Sequence, residues 1–257
     1  MALSDINSHL GTAINSMVDL PKQNALNLSE VPKPTLHNYL PQGNEALHQH
    51  LLGLAGKVRN SSLPAHERMI HLWGASGSGK SHLLFAYSKE TPEQNGIFLS
   101  PTSSDMAWQQ AIQGLEEARL SCVACDDTQL LNTDQQAWLF RIHNLIKDQN
   151  QSVLLTASDQ APTYLDIRED LRTRLGWACV YRVKELSDPE KVLAIEQAAL
   201  ARGMNLSGDV APWLLHHFHR DMPSLMSLIE ALDIYSLETK RAVTLPLVKQ
   251  LLQEKSG

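Results

Sequence analysis

Cysteine is scarce in this chain: its 257 residues include only Cys122, Cys125 and Cys179. An odd, sparse set offers no disulfide framework, and the N-terminal Met-Ala-Leu-Ser-Asp lacks the basic start and apolar run of a signal peptide, so a reduced, cytoplasmic setting is expected. Long apolar runs are also missing. No stretch approaches the roughly 20 residues that span a bilayer, which leaves no basis for a membrane role. Basic charge is in deficit, with 22 Lys+Arg against 28 Asp+Glu and a net charge of -6. The chain as a whole therefore does not favour a nucleic-acid backbone, and DNA, if involved, is expected to be met through a partner. Apolar residues make up 43% of the chain, enough to fill one large domain or a core domain with a small appendage.

The chain is organised around Gly74-Ala75-Ser76-Gly77-Ser78-Gly79-Lys80-Ser81, which fits the phosphate-loop pattern G-x-x-x-x-G-K-[ST]. The apolar run Met69–Trp73 precedes it and His82-Leu83-Leu84-Phe85-Ala86-Tyr87 follows, giving the strand, loop and helix that the motif requires. Glycines let backbone N–H groups turn inward around phosphates, and the helix that follows points its positive end at them. Gly74, Gly77, Ser78, Gly79, Lys80, Ser81 and His82 are thus the candidate phosphate-side residues, with Lys80 on the outer phosphates and the Ser81 hydroxyl on Mg²⁺. The expected ligand is a nucleoside di- or triphosphate.

Residues 1–34 are polar and hold Pro21, Pro32 and Pro34, which predicts an extended or disordered arm; Met17 is a second candidate start. Within it, Gln23, Leu26 and Leu28 could line one side of a docking peptide, or be a chance patch of a polar tail. A helical apolar stripe follows over 45–57. Beyond the phosphate loop come strands at Gly96–Leu99, 120–125, Ser152–Thr156 and Trp177–Val183, with helices over Ser104–Ala118 and Thr133–Asp148 between them. The inner side of the second of these helices is read as Ala137, Phe140, Ile142, Leu145 and Ile146. This alternation predicts an α/β/α sandwich on a mostly parallel sheet over 35–186. From Ser187, where Ser187-Asp188-Pro189-Glu190 forms a capping box opening a helix that runs to Gly203, the character turns helical, predicting a small all-helical domain over 187–257 with helices at Asp209–His219, Met222–Thr239 and Leu245–Leu252.

Asp126 and Asp127 end the strand after the loop, where open α/β sheets gather their ligands. Asp126 is the candidate Mg²⁺ carboxylate, and Asp127 takes the place where hydrolysing enzymes carry a water-polarising glutamate. Cys122 and Cys125, three apart in a strand, should point to opposite faces as core residues and not as a zinc or redox pair. His216, His217 and His219 scatter round a helix without acidic or cysteine company and read as packing and surface residues. Arg172 and Arg174, before the last strand, are either a solvated basic face or include a residue that reaches across a subunit contact to a neighbour's transferring phosphoryl group.

With these motifs the chain resembles the AAA+ nucleotide-binding proteins, and within them the family of the replication initiator DnaA and its shorter relatives, the Hda proteins. Gly74–Ser81 resembles their Walker A motif and Val123–Asp127 their Walker B. Thr35-Leu36-His37-Asn38-Tyr39 is similar to the adenine-side box, which implies base-side roles for Asn38 and Tyr39. Ser158-Asp159 resembles sensor I, implying a catalytic place for Asp159, and Asp170–Trp177 resembles the arginine-finger box, which makes Arg174 the finger. The position of the lid arginine aligns with Pro223, leaving Arg220 as the substitute. Gln23–Leu28 resembles the Q-x-x-L-x-L clamp-binding motif, with Asn24 and Asn27 as unusual companions, and the end of the chain after the lid implies that the initiator's DNA-binding domain is absent.

The resemblance implies ADP or ATP with Mg²⁺ as cofactors. Its implied partners are DnaA, the DNA polymerase III sliding clamp (beta subunit) and, through the clamp, DNA, with self-association open. The implied function is negative regulation of replication initiation by stimulating hydrolysis of DnaA-bound ATP. The competing expectations are an autonomous ATPase of helicase-loader type and a DNA-binding initiator.

Overall fold

Five short runs of apolar residues pair side by side in parallel in the computed structural model, which describes residues 33–60, 63–90, 95–149, 152–218, 221–239 and 243–254. The strands are β1 (Met69–Trp73), β2 (Gly96–Leu99), β3 (Cys122–Cys125), β4 (Val153–Ser158) and β5 (Cys179–Arg182), in the spatial order β2-β3-β4-β1-β5. Residues 34–185 form one compact unit, and residues from Leu186 onward belong to another.

In the first unit the strands alternate their side chains between two cores, as pleating requires. Ile70, Leu72, Cys122, Ala124, Val153, Leu155 and Ala157 share one core with α1 (Glu45–Asn60) and α2 (Lys80–Glu90). Met69, Val123, Cys125 and Leu154 face α3 (Asp105–Glu116), α4 (Thr133–Asp148) and α5 (Glu169–Gly176). The sheet is thus covered on both faces, and Cys122 and Cys125 lie in different cores. Both are fully buried, and desolvation raises both thiols.

Several sequence expectations shift: β3 begins at Cys122 and β5 at Cys179, each two residues later than expected. Strand β4 runs on to Ser158, because Ala157 and Ser158 continue the register opposite Leu72 and Trp73. On α4 the innermost line is Gln135, Leu139, Ile142, His143 and Ile146; Ala137, Phe140 and Leu145 are only half-buried. Phe140 instead carries the Arg168 and Arg174 guanidinium groups over its ring, at 5.8 and 5.5 Å.

The second unit is helical: α6 (Asp188–Leu200), α7 (Val210–His217), α8 (Met222–Thr239) and α9 (Leu245–Glu254). Ser187 and Glu190 form the capping box that opens α6. The helix closes ahead of Gly203, where Gly203 N–H donates to the Leu200 carbonyl and Met204 N–H to that of Ala199, the paired bonds of a Schellman ending. Ile195, Leu214, Leu225, Ile229 and Val248 are among its buried core. His217 stacks on Trp213 with ring centroids 4.2 Å apart, and no cluster of metal-ligating side chains occurs among the described residues; His219 lies outside them. No helix among the described residues is long and apolar enough to cross a membrane.

Candidate functional site

The loop from Gly74 to Gly79 leaves the carboxyl end of β1 and enters α2 at Lys80. Its glycines are sterically required. A Cβ on Gly74 would lie 2.4 Å from the Val183 carbonyl oxygen, and one on Gly79, where φ is +95°, would lie 2.9 Å from Tyr39 Cε2. The Tyr39 ring therefore lies against the loop. It is buried, with His48 and His82 at 5.7 Å centroid spacing, and burial raises its phenol to about 12. His82 shares a hydrogen bond with the Thr35 carbonyl at 2.9 Å, and desolvation lowers its pKa. Asn38 closes the turn below: its Oδ1 accepts from Thr35 N–H and its own N–H donates to Thr35 Oγ1.

Lys80 Nζ donates to the carbonyls of Gly74 (2.7 Å) and Ala75 (2.9 Å). Desolvation lowers its pKa, opposed by the charges of Asp126, Asp127, Asp159 and Glu185. Asp126 is buried at the end of β3. Desolvation raises its carboxyl, while a hydrogen bond with Ser81 acts the other way. The Ser81 hydroxyl and the Asp126 carboxylate are thereby brought together as neighbouring hard oxygen donors, the type Mg²⁺ takes beside phosphate. The Ser78 hydroxyl is buried inside the loop without a hydrogen-bond partner among the described residues. A buried, unpaired donor in a phosphate-loop motif suits a phosphate oxygen. The donor set thus fits both a nucleotide phosphate and its Mg²⁺.

Asp127 is left-handed, with φ +49°, and its Oδ1 accepts from Gln129 Nε2 at 3.1 Å. The Gln129 amide oxygen in turn accepts from the Asp159 N–H at 3.3 Å. Gln129, which the sequence reading passed over, thus joins Asp127 to Asp159. Its only signal was its place two residues beyond the acidic pair.

Arg174 lies on α5, with its guanidinium 5.5 Å from the Phe140 ring centroid and 5.2 Å from that of Trp177. Three arginines lie on this segment and differ in what holds them. Arg168 pairs with Asp170 at 2.6 Å, and Arg172 donates to the Leu165 carbonyl. Arg174 makes no ion pair among the described residues, and its Nη1 is buried without a hydrogen-bond partner. A shallow groove lined by Phe140, Arg168, Asp170, Arg174 and Trp177 opens at this place. Gln23, Leu26, Leu28 and Arg220 lie outside the described residues, and Pro223 stands in the first turn of α8.

A five-stranded parallel sheet with a phosphate loop after β1, acidic residues after β3 and a helical unit following β5 defines the AAA+ class of P-loop proteins. Residues 188–252 match the family model described as "Hda, lid domain". An uncharacterised protein of Haemophilus influenzae is 31% identical over 236 residues, covering 90% of this chain and 98% of that protein. The chain belongs to the Hda-related AAA+ family.

Among solved structures, domain III of the Thermotoga maritima replication initiation protein DnaA superposes with a TM-score of 0.66 at 19% identity, over 87% of this chain and 97% of that one. AMPPCP-bound DnaA from Aquifex aeolicus gives 0.61 at 21% identity, over 82% of this chain and 68% of that one. A Thermotoga maritima RuvB variant gives 0.60 at 17%, over 87% and 72%. At these identities the likenesses show the fold.

Proposed function

We propose that the protein is a negative regulator of replication initiation: attached to the DNA-loaded sliding clamp, it stimulates hydrolysis of DnaA-bound ATP by supplying Arg174 in trans. The observation that carries this reading is the contrast among the α5 arginines. Among the described residues, Arg174 is the one arginine of this segment with neither an ion pair nor, at its buried Nη1, a hydrogen-bond partner, and two aromatic rings hold its guanidinium beside an open groove. A guanidinium with no ion pair among the described residues is available to the charge that develops on a neighbour's phosphoryl group. The Hda lid match supports the regulatory reading over that of an initiator.

The chain's own nucleotide is ADP or ATP. Ser78, Lys80 and the loop N–H groups would bind its phosphates, Ser81 and Asp126 its Mg²⁺, and Tyr39 and Asn38 its base side; His82, packed against Tyr39, and Arg220 are the further cofactor-binding residues of this reading. A bound nucleotide would supply the negative charge that these donors are arranged to meet. Lys80, now on the Gly74 and Ala75 carbonyls, would hold its phosphates, and Asp127 and Asp159 would be the catalytic carboxylates. Gln23, Leu26 and Leu28 tether the protein to the clamp, and cytoplasmic placement follows from that role.

The test is a reconstitution: DnaA loaded with labelled ATP, clamp on DNA, and this protein with and without ADP. Conversion of the label to ADP is expected only with all components present. Arg174→Ala should lower the stimulated rate about 10³-fold or more and leave clamp binding intact. Normal stimulation by Arg174→Ala would rule out the finger. The intact loop with Lys80 and Asp126 favours a second reading, an autonomous ATPase. ATP turnover that rises with protein concentration and disappears in Lys80→Ala, with DnaA unaffected, would establish that one instead.

A further inference from the structure

Strand β1 is buried, and its one polar side chain is His71. The imidazole is fully buried, with Nδ1 2.8 Å from Thr156 Oγ1 and Nε2 2.8 Å from Ser158 Oγ, both on the neighbouring strand β4. The neighbours fix its protons. The Ser158 hydroxyl donates to the Gln160 carbonyl at 2.6 Å, so its oxygen is left to accept from Nε2–H. The Thr156 hydroxyl lies 2.8 Å from Nδ1 and 3.4 Å from the Ile70 carbonyl, so the imidazole is its stronger acceptor. His71 is therefore the neutral Nε2–H tautomer, in keeping with a pKa that desolvation lowers to about 3.

The serine that His71 holds by its side chain also touches the phosphate loop by its backbone: the Gly74 N–H donates to the Ser158 carbonyl at 3.3 Å. The next residue, Asp159, is held from the β3 side by Gln129, which also holds Asp127. The tip of β4 is thus fastened from within the sheet by one side chain and from the adjacent strand end by another.

We propose that His71 is a positioning residue of the phosphate-loop site: through Ser158 it sets the Ser158–Gln160 tip against Gly74, and Gln129 extends that arrangement to Asp127. This rests on the reading of the loop as a nucleotide site. An aliphatic side chain would satisfy a buried parallel strand, but it would leave the Thr156 hydroxyl without its partner and the Ser158 hydroxyl without its donor. A satisfied buried network selects a single geometry. That choice fits a place where the loop's first residue and an acidic tip must keep register.

The experiment uses the full chain and a fluorescent ADP analogue with Mg²⁺, reading its dissociation rate in wild type, His71→Phe, His71→Gln and Gln129→Ala, alongside the thermal midpoint without nucleotide. His71→Phe keeps bulk and loses both hydrogen bonds, and dissociation should quicken about tenfold. His71→Gln, which has a donor and an acceptor, should recover part of that, and Gln129→Ala should quicken release about threefold. The ring ¹⁵N shifts of wild type should report the Nε2–H tautomer. Wild-type release from His71→Phe overturns the proposal, as does equal impairment of the Phe and Gln variants, which would leave only a packing role. Failure of wild type to bind the analogue overturns the nucleotide reading and this inference with it, an outcome distinct from either of these.

Discussion

Gly79 shows how much a single position can settle. With φ at +95° and Tyr39 Cε2 2.9 Å from where a Cβ would stand, an alanine there meets both backbone strain and a ring. Gly79→Ala should cost about 1–3 kcal/mol in urea unfolding and should weaken binding of the fluorescent ADP analogue beyond that of a Ser76→Ala control in the exposed part of the loop. Equal binding by the two would mean the ring and loop are not coupled. At Arg174 the chemistry of the head group decides. A lysine has no planar fork to lie between Phe140 and Trp177, so Arg174→Lys should recover little of the stimulation lost in Arg174→Ala. The loop and the acidic end of β3 stand out in the sequence because their motifs are local, and a local pattern likewise singles out Arg174, whose role is proposed. His71 and Gln129 do not stand out, because a lone polar residue in an apolar run acquires meaning only when the partner strand is known.

Among the elements, α4 begins on a capping box of Asn132 and Gln135 directly after the turn that carries Asp127 and Gln129. Asn132 Oδ1 accepts from Gln135 N–H at 2.9 Å, and Gln135 Nε2 also donates to the Pro101 carbonyl at 2.9 Å. The cap thus anchors the loop after β2 as well as the helix. Asn132→Ala should lower stability by about 1 kcal/mol in urea, and Asn132→Asp should restore most of it. Helix α5 was illegible beforehand for a physical reason: its only buried apolar residues are Leu171 and Leu175, one turn apart, too few for a period to show. Strand β5 was read two residues long at its start because Trp177 and Ala178 are apolar, yet both N–H groups are spent closing α5, on the carbonyls of Arg174 and Leu175. The lid helices, of which α6 opens on a capping box and α8 runs for 18 residues, lie close to where the pattern puts them.

At the scale of the whole molecule, alternation of strand and helix made the sandwich readable. The order β2-β3-β4-β1-β5 was not, since parallel neighbours are chosen by packing and leave no local mark. The buried histidines give the molecule a pH dependence. Desolvation lowers His71 to about 3 and His143 to about 4, each from 6.5. Below about pH 6.5 the unfolded chain binds protons that the native histidines refuse, so stability falls with pH until those lower values are reached. At pH 5 each histidine should contribute a loss of about 2 kcal/mol relative to neutral pH. Asp126, raised by burial, offsets part of this because its native carboxyl accepts a proton earlier than the unfolded one. Urea midpoints at pH 7.5 and 5 should show the fall, and His71→Gln should reduce it by one histidine's share; an unchanged slope would mean that His71 titrates normally. The two fully buried strand thiols have a consequence of another kind. Cys122 and Cys125 are sealed in opposite cores, whereas Cys179 is half-buried on edge strand β5. A maleimide dye should therefore attach to the folded wild-type chain once, at Cys179, giving a reporter beside the sheet without any engineered cysteine.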